Sequence, residues 1–150
     1  MSTIEQNLIG NTAGLSRVDK VLRYFFVALL IGTVVYSIGG TFFGKDNRLT
    51  DYGTADAALL LAVYIPGYSR QIPGAHWALR ACEWVVMGCA LVCNAAVITG
   101  DVTDAGNNPA PFNVATNVAL GAEFVAICFF MALLIARERA RRRGLIPPRS

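Results

Sequence analysis

Charge is scarce in this chain. Asp, Glu, Lys and Arg together make up 15% of its 150 residues, and there is a single histidine, His76. One histidine excludes haem held between paired intramembrane imidazoles, and no nucleophile stands beside it to form a hydrolytic dyad. The four cysteines, Cys82, Cys89, Cys93 and Cys128, contain no C-x-x-C pair, which removes the thioredoxin-like and zinc-knuckle readings. They fall in or beside apolar segments rather than in loops, so a disulfide framework is not expected either. No glycine-rich phosphate loop occurs, and the basic residues do not interleave with aromatics as nucleic-acid surfaces require. The expectation is a protein without cofactor or metal, with no nucleic-acid partner and no enzymatic activity.

What the chain has is long apolar runs. Hydrophobic residues make up 55% of it and the mean hydropathy is positive, the composition of an integral membrane protein. The longest run, Phe112 to Ala136, is interrupted once by Glu123. It closes on the cationic block Arg137, Arg139, Arg141, Arg142 and Arg143. About 20 apolar residues cross a bilayer core of roughly 30 Å, so this run is long enough to span. Two further runs are comparable, giving spans at about 21–43 and 78–99 beside 112–136. Segment 54–68 has a shorter apolar core, reaching only ~24 Å at 1.5 Å per residue, and length alone does not separate a thin span from a re-entrant one.

Charge placement decides that case. Lys and Arg concentrate on the cytoplasmic side of membrane proteins, and both the Arg17, Lys20, Arg23 cluster and the carboxyl-terminal arginines therefore belong inside. Two ends on one side require an even number of crossings. Segment 54–68 must then cross, which puts eleven of the 13 Lys and Arg inside. The fold class expected is an all-α, four-helix transmembrane bundle with both termini cytoplasmic in a bacterial-type inner membrane. Residues 1–16 and 144–150 are expected as cytoplasmic tails, the first loosely ordered. The basic lead-in and the small residues near Ser37 and Gly39 resemble a signal peptide, but the charged lead is long for one, and a retained span is expected.

Ile65-Pro66-Gly67 and Ile72-Pro73-Gly74 punctuate the inner loop, since proline lacks a donor and glycine accepts positive φ. A tandem two-helix repeat is visible in Leu22-Arg23 against Leu79-Arg80, and in Thr50-Asp51-Tyr52-Gly53 against Thr103-Asp104-Ala105-Gly106. Two hairpins entering from one side would be parallel repeats.

Glu123 is the sharpest chemical signal. An ionisable group at bilayer depth normally faces the bundle interior. Ala115, Ala119, Ala122 and Ala126 flank its face as a helix-packing stripe, and Ala28, Gly32 and Gly39 form a second such stripe on the first span. No Lys or Arg lies at its depth, so a neutral, hydrogen-bonded carboxyl is expected, with Asn94, Tyr64 and Tyr36 among its neighbours. That set is the candidate proton or cation site. Asp56 is expected in the first turn of its helix, Glu83 paired with Arg80, and Cys82, Cys89 and Cys93 as a stripe of small buried residues.

The leading functional expectation is a non-enzymatic accessory or structural subunit, whose partners are membrane lipids and other membrane subunits or further copies of itself. The alternatives are a small proton- or cation-coupled transporter or channel using Glu123, and a holin-like pore-forming protein.

Overall fold

The computed structural model describes residues 15–43, 48–72, 74, 76–104 and 109–146. The expectations for the amino-terminal tail, for Lys45 to Asn47, for the Gly106 to Asn108 breaker and for the last four residues lie outside the described residues. The fold is helical, with no strand among the described residues: α1 (Arg17–Phe43), α2 (Arg48–Tyr64), a 3-10 turn at Ser69–Gln71, α3 (Trp77–Asp104) and α4 (Pro109–Arg142). Three stretches, Arg17–Gly39, Trp77–Asp101 and Val114–Arg142, are long and apolar enough to cross a membrane.

Local chemistry sets the helix ends. Ser16 caps α1, its Oγ accepting the Asp19 N–H at 3.2 Å and donating to the Asp19 carboxylate at 2.7 Å. After Tyr64, the Tyr68 N–H bonds back to the Ile65 carbonyl across Pro66 and Gly67, with φ of +76° at the glycine. Proline then positive-φ glycine is the composition of a type II turn. Pro109 opens α4, where a missing donor costs nothing. At its other end Gly144, with φ of +72°, donates to the Arg141 carbonyl, and Leu145 to that of Ala140. This pair of bonds is a Schellman cap.

Three boundaries in α2 and α3 differ from the expectation. α2 begins six residues earlier, at Arg48 rather than Thr54, and ends at Tyr64, because Pro66 and Gly67 turn the chain. Asp56 therefore lies in the third turn of α2 and not in its first. α3 continues to Asp104, past the expected end at Thr99.

Side-chain pairs give the packing directions. Arg23 meets Pro66, Thr33 meets Asp56 and Tyr36 meets Tyr52, so α2 runs antiparallel to α1. Ser69 meets Glu83 and Tyr52 meets Asp101, so α2 runs antiparallel to α3 by the same logic. α1 and α3 are thus parallel on either side of α2, as two-helix repeats would place them. Their levels are offset, however. Tyr36 reaches Asp101 whereas the repeat would align Arg23 with Arg80, and this sets Arg80 about two turns closer to the end of the bundle where Arg17 lies. α4 packs along α3 and also touches α2. Arg137 bonds the Tyr68 hydroxyl at 3.3 Å, so the arginine-rich end of α4 lies at the same end of the bundle as the start of α1.

The shortest helix is the most enclosed. Tyr52, Ala55, Ala58, Leu59, Ala62 and Val63 of α2 are all buried, and from Tyr52 onward only the stripe Gly53, Ala57, Leu60 and Tyr64 is exposed. Its small residues let α1 and α3 approach closely. The longer helices are the reverse. On α1 the buried positions are Asp19, Arg23, Phe26, Thr33 and Ser37, while Val21, Phe25, Ile31, Val35 and Ile38 face outward. On α4 the buried residues Ala119, Ala126, Leu133 and Ala140 recur every seven positions, the seam of left-handed helix pairing. Phe124, Ile127, Phe129, Met131, Leu134 and Ile135 lie outside that seam, exposed. An apolar exterior around a partly polar seam suits hydrocarbon rather than water as solvent.

Candidate functional site

Polar side chains gather at the two ends of the bundle. At the α1 start, the capped first turn holds Asp19 inward, and Arg23 follows one turn later on the same face. Asp19, Arg23 and Glu83 are 3%, 4% and 3% exposed. Asp19 receives Arg70 at 3.1 Å from the 3-10 turn, as well as the Ser16 hydroxyl. Arg23 donates to the Pro66 carbonyl at 3.3 Å and lies within electrostatic range of Asp19 and Tyr64. Glu83 accepts the Ser69 backbone N–H and feels both Asp19 and Arg80. These contacts fasten the 65–72 turn, a segment rich in backbone groups that must be satisfied when buried, between α1 and α3.

At the opposite end, the parallel helices α1 and α3 leave a groove of about 380 Å³. Ala28, Gly32 and Thr33 form one wall, Ile98 the other, and Tyr36, Tyr52 and Asp101 close its end. Both tyrosine hydroxyls donate to the same Asp101 oxygen, at 3.1 and 3.2 Å, and the rings meet edge to face. Deeper in, the Thr33 hydroxyl donates to Asp56 at 2.7 Å.

An apolar layer separates the two ends. Phe26, Leu59, Val63, Val86, Met87 and Ala90 fill the middle of the bundle. Buried Asn94 on α3 is a polar group between the two ends.

The residues proposed from sequence around Glu123 are distributed rather than gathered. Tyr36 is in the Asp101 cluster. Tyr64 lies at the other end of α2, exposed and within electrostatic range of Arg23. Asn94 is 4% exposed, and its Nδ2 has no acceptor among the described residues. Glu123 is half-buried on α4, within electrostatic range of the Cys93 thiol, and has no hydrogen bond or ion pair among the described residues. Of the small-residue stripes, Ala119 and Ala126 sit in the α4 seam with Ala115 and Ala122 half-buried, whereas Ala28 and Gly32 stay open and line the groove, and Gly39 is half-exposed. Cys93 is buried, Cys82 and Cys89 half-buried and Cys128 exposed, and no group of metal-binding side chains occurs among the described residues.

The cluster at the α1 start is not evident from sequence, because its members resemble ordinary topology charges. A signal was there: Asp19, Arg23, Phe26, Thr33 and Ser37 follow a spacing of four, three, seven and four, a single helical face carrying polar groups in an otherwise apolar helix. Within the basic tail the arginines differ. Arg137 bonds and stacks on Tyr68, 5.1 Å from the ring centre, and Arg141 and Arg142 pair with Glu138 at 3.3 Å each. Comparison with family models, with curated proteins and with solved structures finds no match.

Proposed function

We propose that this chain is a four-span protein of a bacterial-type inner membrane, both termini cytoplasmic, serving as a non-enzymatic subunit that packs against a neighbouring transmembrane helix. Three long apolar helices surround a short enclosed one, and α2, about 25 Å long at 1.5 Å per residue, runs beside them from the Asp101 level to the Arg23 level. A helix covered by protein on most sides needs neither the length nor the lipophilicity of a lipid-facing span, which is how α2 serves as the fourth crossing. With the arginine-rich end cytoplasmic, thiol labelling by a membrane-impermeant maleimide should reach Gly53→Cys from the periplasmic side and Gly74→Cys from the cytoplasmic side. The measurement belongs in a background lacking the native cysteines, and labelling of both from one side would sink the four-span topology.

The observation that carries the subunit role is the open face of α1. Ala28 and Gly32 line an open groove, and a Cβ added at Gly32 would find nothing within 4 Å. Small residues facing empty space in a membrane helix are where another helix approaches. A larger side chain there is accommodated by the isolated bundle and obstructs only the neighbour. Gly32→Leu should therefore leave the folded protein intact while weakening association about tenfold or more, the consequence of overpacking an interface by about 1–3 kcal/mol. Energy transfer between labelled copies, and co-purification in mild detergent, read this out. A wild-type protein that is a monodisperse monomer with no co-purifying partner, or a variant that associates unchanged, would remove the reading. Transport through Glu123 draws less support, because that carboxyl has no hydrogen bond or ion pair among the described residues and Tyr36 and Tyr64 lie at opposite ends of the bundle.

A further inference from the structure

We infer that the carboxyl-terminal end of α4 carries a binding site for an anionic phospholipid of the adjoining leaflet, formed by Arg139, Arg143 and an apolar trough beside them. The cap at Gly144 creates it. By reversing the chain, the Schellman turn brings Leu145 back over Ala140, and Ile146 packs against the core. The space between this return and Ile72, Gly74 and Leu79 is a groove of about 260 Å³, with Ile72, Leu79, Ala136 and Ala140 on its apolar side.

Arg139 and Arg143 stand one helical turn apart and both line that groove. They differ from their neighbours on the same helix. Arg137 is engaged by Tyr68, and Arg141 and Arg142 by Glu138, whereas neither Arg139 nor Arg143 has an ion pair among the described residues. Two uncompensated guanidinium groups beside an apolar trough match a molecule with an anionic phosphate joined to hydrocarbon. Guanidinium presents its donors in the planar fork that suits phosphate oxygens. The trough lies at the end of a helix apolar enough to cross a membrane, the level at which lipid headgroups meet acyl chains. Only the identity of the leaflet rests on the topology proposed above.

The test uses the full chain purified in a neutral detergent. Short-chain phosphatidylglycerol is titrated in, with phosphatidylcholine of the same chain length and inorganic phosphate as parallel arms. Binding is followed by native mass spectrometry and by the rise in thermal midpoint. The wild type should bind phosphatidylglycerol with a clear preference over phosphatidylcholine. Arg139→Gln with Arg143→Gln should weaken that binding on the order of tenfold or more, given roughly 1 kcal/mol per basic residue at a membrane surface. Arg142→Gln, exposed and already paired with Glu138, should bind like wild type. Both arginines of the site are exposed, so the double variant is expected to fold, and its far-ultraviolet circular dichroism serves as the check. Equal binding of the two lipids, equal loss in Arg142→Gln, or stabilisation by inorganic phosphate to the same extent would each overturn the site. Because binding is read in micelles, its failure is separate from a failure of the topology.

Discussion

Asp19→Asn will destabilise the bundle by on the order of 3 kcal/mol, the cost of removing a buried carboxylate that pairs with Arg70, accepts from Ser16 and lies in electrostatic range of buried Arg23. The side chain keeps its size and can still accept from Ser16, so the change isolates the charge. Removing it deprives the buried Arg23 guanidinium of the anion one turn away and leaves Arg70 with a neutral amide. The two arginines contribute unequally. Arg70 is 40% exposed at its side chain, so water compensates much of its loss, and an exposed pair is worth about 1 kcal/mol or less. Arg23 is buried and has little such recourse. Arg70→Gln should therefore cost well under half of what Asp19→Asn costs. Joining Asp19→Asn to Arg23→Gln should recover part of the loss, since the buried cation is removed with its anion. Reversible unfolding in mixed detergent micelles measures all of these. If Asp19→Asn proves no worse than Arg70→Gln, the buried Asp19–Arg23 relation does not hold the bundle.

Gly67→Ala will be the second large loss, again on the order of 3 kcal/mol, and Gly74→Ala provides its control. Both glycines have positive φ, +76° and +71°, a conformation that costs an L-residue about 1–2 kcal/mol. Backbone strain alone would make the two substitutions equal. Their surroundings differ. A Cβ at Gly74 meets nothing within 4 Å, whereas one at Gly67 would collide with the Leu15 side chain and stand 3.2 Å from Asp19 Oδ2. Leu15 can swing aside, but Asp19 is tethered by Ser16 and Arg70, so the added methyl group pushes on the same network that holds the turn in place. Gly74→Ala should stay near 1–2 kcal/mol, the strain alone. Equal losses at the two positions would show that the Gly67 turn does not bear on Asp19.

Both effects centre on residues that carried little weight in sequence. Arg17, Lys20 and Arg23 enter the first span as one basic cluster, and nothing in their composition distinguishes them. The fold separates them: Arg17 is exposed, and Arg23 is drawn in to the Pro66 carbonyl. Glu83 was expected beside Arg80, three residues earlier on its own helix. It does lie within reach of that charge, but its hydrogen bond goes to the Ser69 backbone fourteen residues away. Local spacing detects partners on one helix and is blind to a turn that tertiary packing places against it. Asp56 illustrates the same limit, since the hydroxyl it accepts belongs to α1.

What the sequence determined by itself is the helical class and the apolar spans, because the length of an apolar run and the absence of charge within it are linear properties. Proline and glycine placed the turn after α2 for the same reason, acting on their own backbone. Only the tertiary structure decided which helix is enclosed, that polar clusters form at both ends of the bundle, that Ala28 and Gly32 border a groove while Ala119 and Ala126 are packed, and that of the five tail arginines Arg139 and Arg143 have no side-chain hydrogen bond or ion pair among the described residues. Those are properties of pairs of residues distant in the chain, and they follow from the antiparallel registers of α2 with α1 and α3, which no single helix encodes.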